Sequence, residues 1–207
     1  MVTDKRKKKN FFSKVPFSNT RFEINELKRA IKQPIKTPKT KYKPKTIIDF
    51  GCGQSKLIDV LSDSVGAQGT RYDPAIPKYS KQPTGKHDLL INVDVLEHVP
   101  VDQLDDVVGL MAGLCEEAII VIDTREAKAI LPNGENAHCT VRSHDWWGDY
   151  LSKHFKRLEP IRVTRKSRAA FRTWSLNSKQ SMSIKLMTIS EKTKYILKRL
   201  FGIKGHK

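Results

Sequence analysis

Residues 46–57 read TIIDFGCGQSKL, and this stretch decides the fold. Thr46 to Phe50 form a short run of β-prone residues, apolar enough to be buried as a strand. Gly51-Cys52-Gly53 breaks that strand, and residues 55–64 then carry Leu57, Ile58, Val60 and Leu61 at helical spacing. Strand, glycine turn and helix in this order form a ligand-binding device. The glycines permit a sharp turn and close approach of a ligand to the backbone, and the helix start presents N–H groups.

Moving outward, Thr70 to Asp73 read as a second, weaker strand ending in an acid 20 residues beyond Gly53. An acidic side chain there is placed to meet ribose hydroxyls. Residues 74–86 carry three prolines and read as loop. DLLINVDV (88–95) is a third strand, buried on both faces. Residues 101–115 form a helix with Leu104, Val107, Val108, Met111 and Leu114 on one stripe, and Ala118 to Asp123 a fourth strand. After a loop at 126–142 come a helix at 143–154 and two alternating segments, 158–164 and 169–174, that read as a closing hairpin. Strands alternating with helices predict an α/β three-layer sandwich around a mostly parallel sheet that ends in an antiparallel hairpin.

Charge divides the 207-residue chain differently from hydropathy. The net formal charge is +17, yet residues 46–156 carry −7 while residues 1–45 and 157–207 each carry +12. An acidic centre between two basic arms points to a polyanion beside the arms, either nucleic acid or an anionic membrane surface. In the first arm, Ser18 to Thr20 offer caps for a helix at 22–33, and residues 34–45 read as a Pro/Lys linker. In the last, Ile189, Ile196, Leu197, Leu200 and Phe201 give a basic helix one apolar face. The chain therefore divides into a basic arm (1–45), a central domain (46–175) and a basic amphipathic extension (176–207). Cys52, Cys115 and Cys139 show no CxxC spacing, so no zinc site or disulfide framework is expected and no metal is assigned. No apolar run is long enough for a membrane span and none follows the basic start as a signal would, so a cytoplasmic location is expected.

The absent third glycine and the acidic Asp49 suit a ligand bearing an ammonium group better than a dinucleotide pyrophosphate. IIDFGCGQSKL, RYDPA and HDLLINVDVLEHVP together resemble the class I S-adenosylmethionine-dependent methyltransferases, a Rossmann-like family, over residues 46 to about 174. The resemblance implies S-adenosylmethionine as cofactor. Gly51, Cys52 and Gly53 would line its methionine and ribose, and Asp49 would lie near the amino group. Asp73 and Pro74 would face the ribose, while Asn92, Val93 and Asp94 would edge the sulfonium. One departure stands out. Only 14 residues lie between Asp73 and Asp88, too few for the family's usual helix, edge strand and helix. That edge strand is expected to be missing, with the loop DPAIPKYSKQPTGK forming the adenine wall.

Transfer to a hydroxyl or carbon acceptor needs a base, whereas a neutral amine acceptor does not. Asp94, Glu97, His98 and His138 lie near strand carboxyl ends and are the candidates. His98 also reads as a capping or packing histidine that shapes the helix entry. Arg142, Trp146 and Trp147 are candidate substrate contacts, a Trp serving either to stack on a base or sugar or to pack the core. The chain has no (D/N)PPY and no Pro-Cys or Thr-Cys pair after the third strand, and no lysine-aspartate-lysine-glutamate set. These absences argue against the usual adenine, cytosine and ribose 2′-O enzymes of the family. The expected activity is methyl transfer to a nucleic acid, RNA favoured, held by the basic arms. The alternatives are a small-molecule, glycan or lipid-linked acceptor, with residues 188–207 on an anionic membrane, and a cofactor-fold module without catalysis.

Overall fold

The computed structural model describes residues 35–37, 40–163 and 165–175. The helix expected at 22–33 and the amphipathic extension at 188–207 lie outside the described residues. Within the stretch read as a linker, β1 (Ile35–Thr37) and β2 (Thr40–Tyr42) instead pair antiparallel over three residues each. Strand-forming Ile35, Thr37, Thr40 and Tyr42 outweigh the extended Pro/Lys pattern there.

The central sheet follows the expected plan. Its elements are β3 (Thr46–Phe50), α1 (Leu57–Val65), β4 (Gln68–Tyr72), β5 (His87–Val93), α2 (Leu104–Gly113), β6 (Cys115–Asp123), α3 (His144–Leu151), β7 (Glu159–Pro160) and β8 (Arg168–Arg172). Among the described residues, six strands lie in the order β4-β3-β5-β6-β8-β7. The first four run parallel, while β8 is antiparallel to both β6 and β7. No strand forms between β4 and β5, so β4 is the sheet edge among the described residues, and residues 74–86 contain only a 3-10 turn at Pro77–Tyr79. The final hairpin is lopsided. Pro160 has no N–H to donate, and β7 is confined to two residues at the opposite edge.

Side-chain alternation builds a core on each face of the sheet. On one, Leu57, Ile58, Leu61 and Val65 of α1 pack on Ile47, Leu89, Ile91, Ile119 and Val121. On the other, Leu104, Val108 and Met111 of α2 and Trp147 and Leu151 of α3 cover Ile48, Leu90, Ala118, Ile120 and Ile122. The helix expected from residue 101 starts as a 3-10 turn, Val101–Gln103, before α2. Ser143 caps α3, its Oγ accepting from the Trp146 amide at 3.2 Å. No helix among the described residues is long and apolar enough to cross a membrane.

The carboxyl ends of β3, β4, β5 and β6 all point one way, with the turns that follow them on the same side. An α/β sheet of this kind binds its ligands there.

Candidate active site

The glycine turn after β3 is anchored to the end of β4. The amides of Gly51 and Cys52 both donate to the Tyr72 carbonyl, at 2.8 and 3.2 Å. Gly51 has φ +79°, and a Cβ built on it would lie 2.5 Å from Cγ2 of Val95. Only glycine serves there, for backbone and for space. Gly53, at φ +52°, donates its amide to Oδ2 of Asp73 at 2.9 Å. Oδ1 of Asp73 accepts from the Ala75 amide at 2.9 Å, so this buried carboxylate clamps the turn and the start of the following loop. The expected ribose acid thus has a structural task already.

Asp49 is the unusual member. It is buried inside the sheet near its carboxyl end, and its Oδ2 has no hydrogen-bond partner among the described residues. Desolvation pushes its pKa up to about 7, with Arg71 opposing and Asp73 and Asp59 adding to the rise. A buried, unpaired carboxyl carries a cost that a cationic ligand group would relieve. Cys52 is a packing residue, its buried thiol pushed up chiefly by desolvation and then by Asp49 and Asp73. Pro74 is half-buried at the mouth of the loop.

At the end of β5, Asn92 is fully buried and donates Nδ2 to the Phe50 carbonyl at 2.9 Å, tying β5 to β3. Val93 belongs to the core on the α1 face. Asp94 has φ +56° and sits against Arg168 of β8, with contacts of 2.6 and 2.8 Å. Its carboxylate is committed to a guanidinium, which the sequence reading had not singled out.

The segment DVLEHVP continues as a 3-10 turn, Leu96–His98, whose three side chains are all buried. Glu97 is 0% exposed, and its Oε1 accepts from the Asp123 amide at 3.1 Å. Desolvation and then the neighbouring Asp94 raise its pKa well above the usual carboxylate range, against the pull of backbone N–H groups and Arg168. His98 donates Nδ1–H to the Ala137 carbonyl at 2.7 Å. Burial lowers its pKa to about 4, aided by His138 and opposed by that hydrogen bond, so the ring is neutral at pH 7.

His138 comes from the loop at 126–142, which is ordered by its own hydrogen bonds. Asn136 exchanges two bonds of 2.9 Å with the backbone of Ala127 and accepts the His138 amide. The Thr140 amide donates to the Glu97 carbonyl at 3.0 Å, and the Thr140 hydroxyl to the Val99 carbonyl at 2.6 Å. His138 itself donates Nδ1–H to the Arg125 carbonyl at 2.5 Å. The rings of His98 and His138 thereby meet edge to face, 4.7 Å between centroids.

The substrate candidates separate. Trp147 is fully buried in the core, which removes it as a substrate contact: position 147 faces the sheet from α3. Trp146 is half-buried, stacked on Tyr150 at 5.0 Å, with the Arg142 guanidinium 5.6 Å from its ring. Arg142 is exposed.

No family model and no curated relative matches the chain. Solved structures do match. The methyltransferase domain of bacterial CtHen1-C superposes with a TM-score of 0.54 at 13% identity, over 75% of this chain and 98% of that one. PigF with SAH gives 0.52 at 12%, over 76% and 62%. This chain has the class I methyltransferase fold. An O-methyltransferase family protein from Burkholderia thailandensis shares that methyltransferase fold with a TM-score of 0.50 at 12% identity, over 66% of this chain. The match spans about half, 52%, of the Burkholderia protein's length. In the methyltransferase fold of this chain, the glycine turn, the DVLEHVP segment and the His138 loop all lie beyond the carboxyl ends of adjacent strands.

Proposed function

We propose that this chain is an S-adenosylmethionine-dependent methyltransferase whose acceptor is a nucleic acid, RNA favoured. The observation that carries the cofactor reading is Asp49: a buried carboxyl whose Oδ2 has no hydrogen-bond partner among the described residues, beside a turn that only glycine fits. Asp49 would hold the cofactor's ammonium group and the Gly51–Gly53 backbone its methionine and ribose. Asp73, already bonded to the Gly53 and Ala75 amides, has lone pairs left for ribose hydroxyls. The loop at 74–86 would wall the adenine in place of the missing strand. The cofactor, when bound, supplies a sulfonium methyl group to an acceptor nucleophile. The chain's own contribution is then to orient the two and keep water away.

Charge supports the acceptor reading. The two basic segments, each +12, flank a central segment of −7. Such arms neutralise phosphates while the acidic centre accommodates a cationic cofactor. The test is incubation with labelled S-adenosylmethionine and fractionated cell extract. Label in RNA, with binding that weakens steeply as salt rises, is the expected result. Label confined to lipid, glycan or small molecules overturns the nucleic-acid reading, and absence of S-adenosylmethionine binding by calorimetry overturns the enzyme reading.

A further inference from the structure

Glu97, His98 and His138 come together in a way that neither the cofactor nor the glycine turn explains. One ligand-capable atom from each lies within 4.8 Å of the other two. Three donors each about 2.1 Å from a common ion lie about 3.4 Å apart in tetrahedral geometry, so an inward movement of no more than about 0.8 Å per side chain closes the set.

Three observations argue that this convergence is built for an ion. First, both histidines donate Nδ1–H to backbone carbonyls, Ala137 and Arg125. Those bonds fix the tautomer that puts the ring lone pair on Nε2, which is how metal-binding histidines are normally held. Second, Glu97 is fully buried, and while Oε1 takes the Asp123 amide, Oε2 has no hydrogen-bond partner among the described residues. A buried carboxylate oxygen left without a donor is costly unless a cation completes it. Third, the scaffold is rigid: Asn136 and Thr140 stitch the His138 loop to itself and to the backbone at Glu97 and Val99.

We infer that Glu97, His98 and His138 form a binding site for a divalent first-row transition metal ion. Two imidazoles and one carboxylate suit zinc, manganese, iron or cobalt, and three protein ligands leave positions open for an oxygen ligand from outside. The sequence expectation of no metal rested on the lack of CxxC spacing. These ligands are neighbours in the chain only at 97 and 98, and the third arrives by folding.

The site's location gives the ion a role, and that role rests on the methyltransferase reading. It lies beyond the ends of β5 and β6, where the fold receives its acceptor. A hydroxyl bound to the ion becomes more acidic and can pass its proton to solvent water, presenting an oxygen nucleophile near neutral pH. Asp94, held by Arg168, is then not needed as a base.

The test uses the full chain, stripped with a chelator and titrated with Co2+ and, separately, Zn2+. Expected are about one ion per chain and a visible ligand-field spectrum for Co2+. His138→Ala, at a half-buried position, and Glu97→Gln, which keeps the side-chain shape, should each weaken binding at least about tenfold. Calorimetric binding of S-adenosylmethionine should survive in His138→Ala. The inference is overturned if the wild-type chain takes up no Co2+ or Zn2+, or if both variants bind them as the wild type does. A chain that binds the ion but not S-adenosylmethionine keeps the metal site and sinks the enzyme reading instead.

Discussion

Asp94 and Arg168, 74 residues apart, meet in a two-pronged ion pair, Nη1 to Oδ1 at 2.6 Å and Nη2 to Oδ2 at 2.8 Å. Arg168 is 5% exposed and acts electrostatically on two acids of the segment after β5, Asp94 and Glu97. Arg168→Met removes the guanidinium and with it this ion pair. The expected loss is roughly 2–4 kcal/mol of unfolding free energy, less than a fully buried pair would give because Asp94 keeps some solvent. Urea denaturation measures it, and a cycle with Asp94→Asn should show strong non-additivity.

Asp49 sets a pH dependence. Its folded pKa of about 7 lies above the ordinary 3.8, so the folded chain holds that proton over a range in which the unfolded chain has lost it. Stability should therefore fall as pH rises from about 4 to about 7 and then level off. Asp49→Asn should lack this slope in thermal melts at stepped pH. Binding of the ammonium-bearing cofactor needs the ionised form, so affinity should rise with pH up to about 7 in the wild type. The Asn variant should bind roughly 10–100-fold more weakly at pH 8, by calorimetry.

Gly51→Ala meets two obstacles, φ +79° and Val95 at 2.5 Å. Together they should cost roughly 2–4 kcal/mol and weaken cofactor binding, since the turn must shift. Gly51→Ala with Val95→Ala restores the space but not the backbone conformation. It should recover only part of the loss seen in the melting temperature once the cost of Val95→Ala alone is subtracted.

The two adjacent tryptophans should behave differently. Trp147→Ala empties a fully buried site and should cost about 3–5 kcal/mol. Trp146→Ala removes a half-buried ring stacked on Tyr150 and should cost about 1 kcal/mol or less beyond the lost surface. Chemical denaturation of both variants checks the contrast.

The glycine turn, the alternation of strands with helices and the missing edge strand were legible in the chain because they depend on short-range signals: glycines after a strand, apolar periodicity, and 14 residues where an element would not fit. The site beyond that was legible in part. Glu97, His98 and His138 stood out individually, yet their convergence depends on the loop at 126–142 folding back onto residues 97–99 through Thr140. Arg168 carried no local mark at all, being one of several basic residues in a basic segment. Only the antiparallel insertion of β8 beside β6 brings it to Asp94. The pairing of β1 with β2 was hidden by prolines and lysines that suggest extended chain.

The insertion of β8 between β6 and β7 also has a consequence in time. During synthesis the glycine turn, Glu97, His98 and His138 all leave the ribosome before Arg168 does. Until β8 joins, β6 is an open edge, and the acids after β5 have no guanidinium to face. The last large strand among the described residues thus brings β6 its second neighbour and the site its guanidinium, so cofactor-binding competence should appear late and abruptly as the nascent chain lengthens.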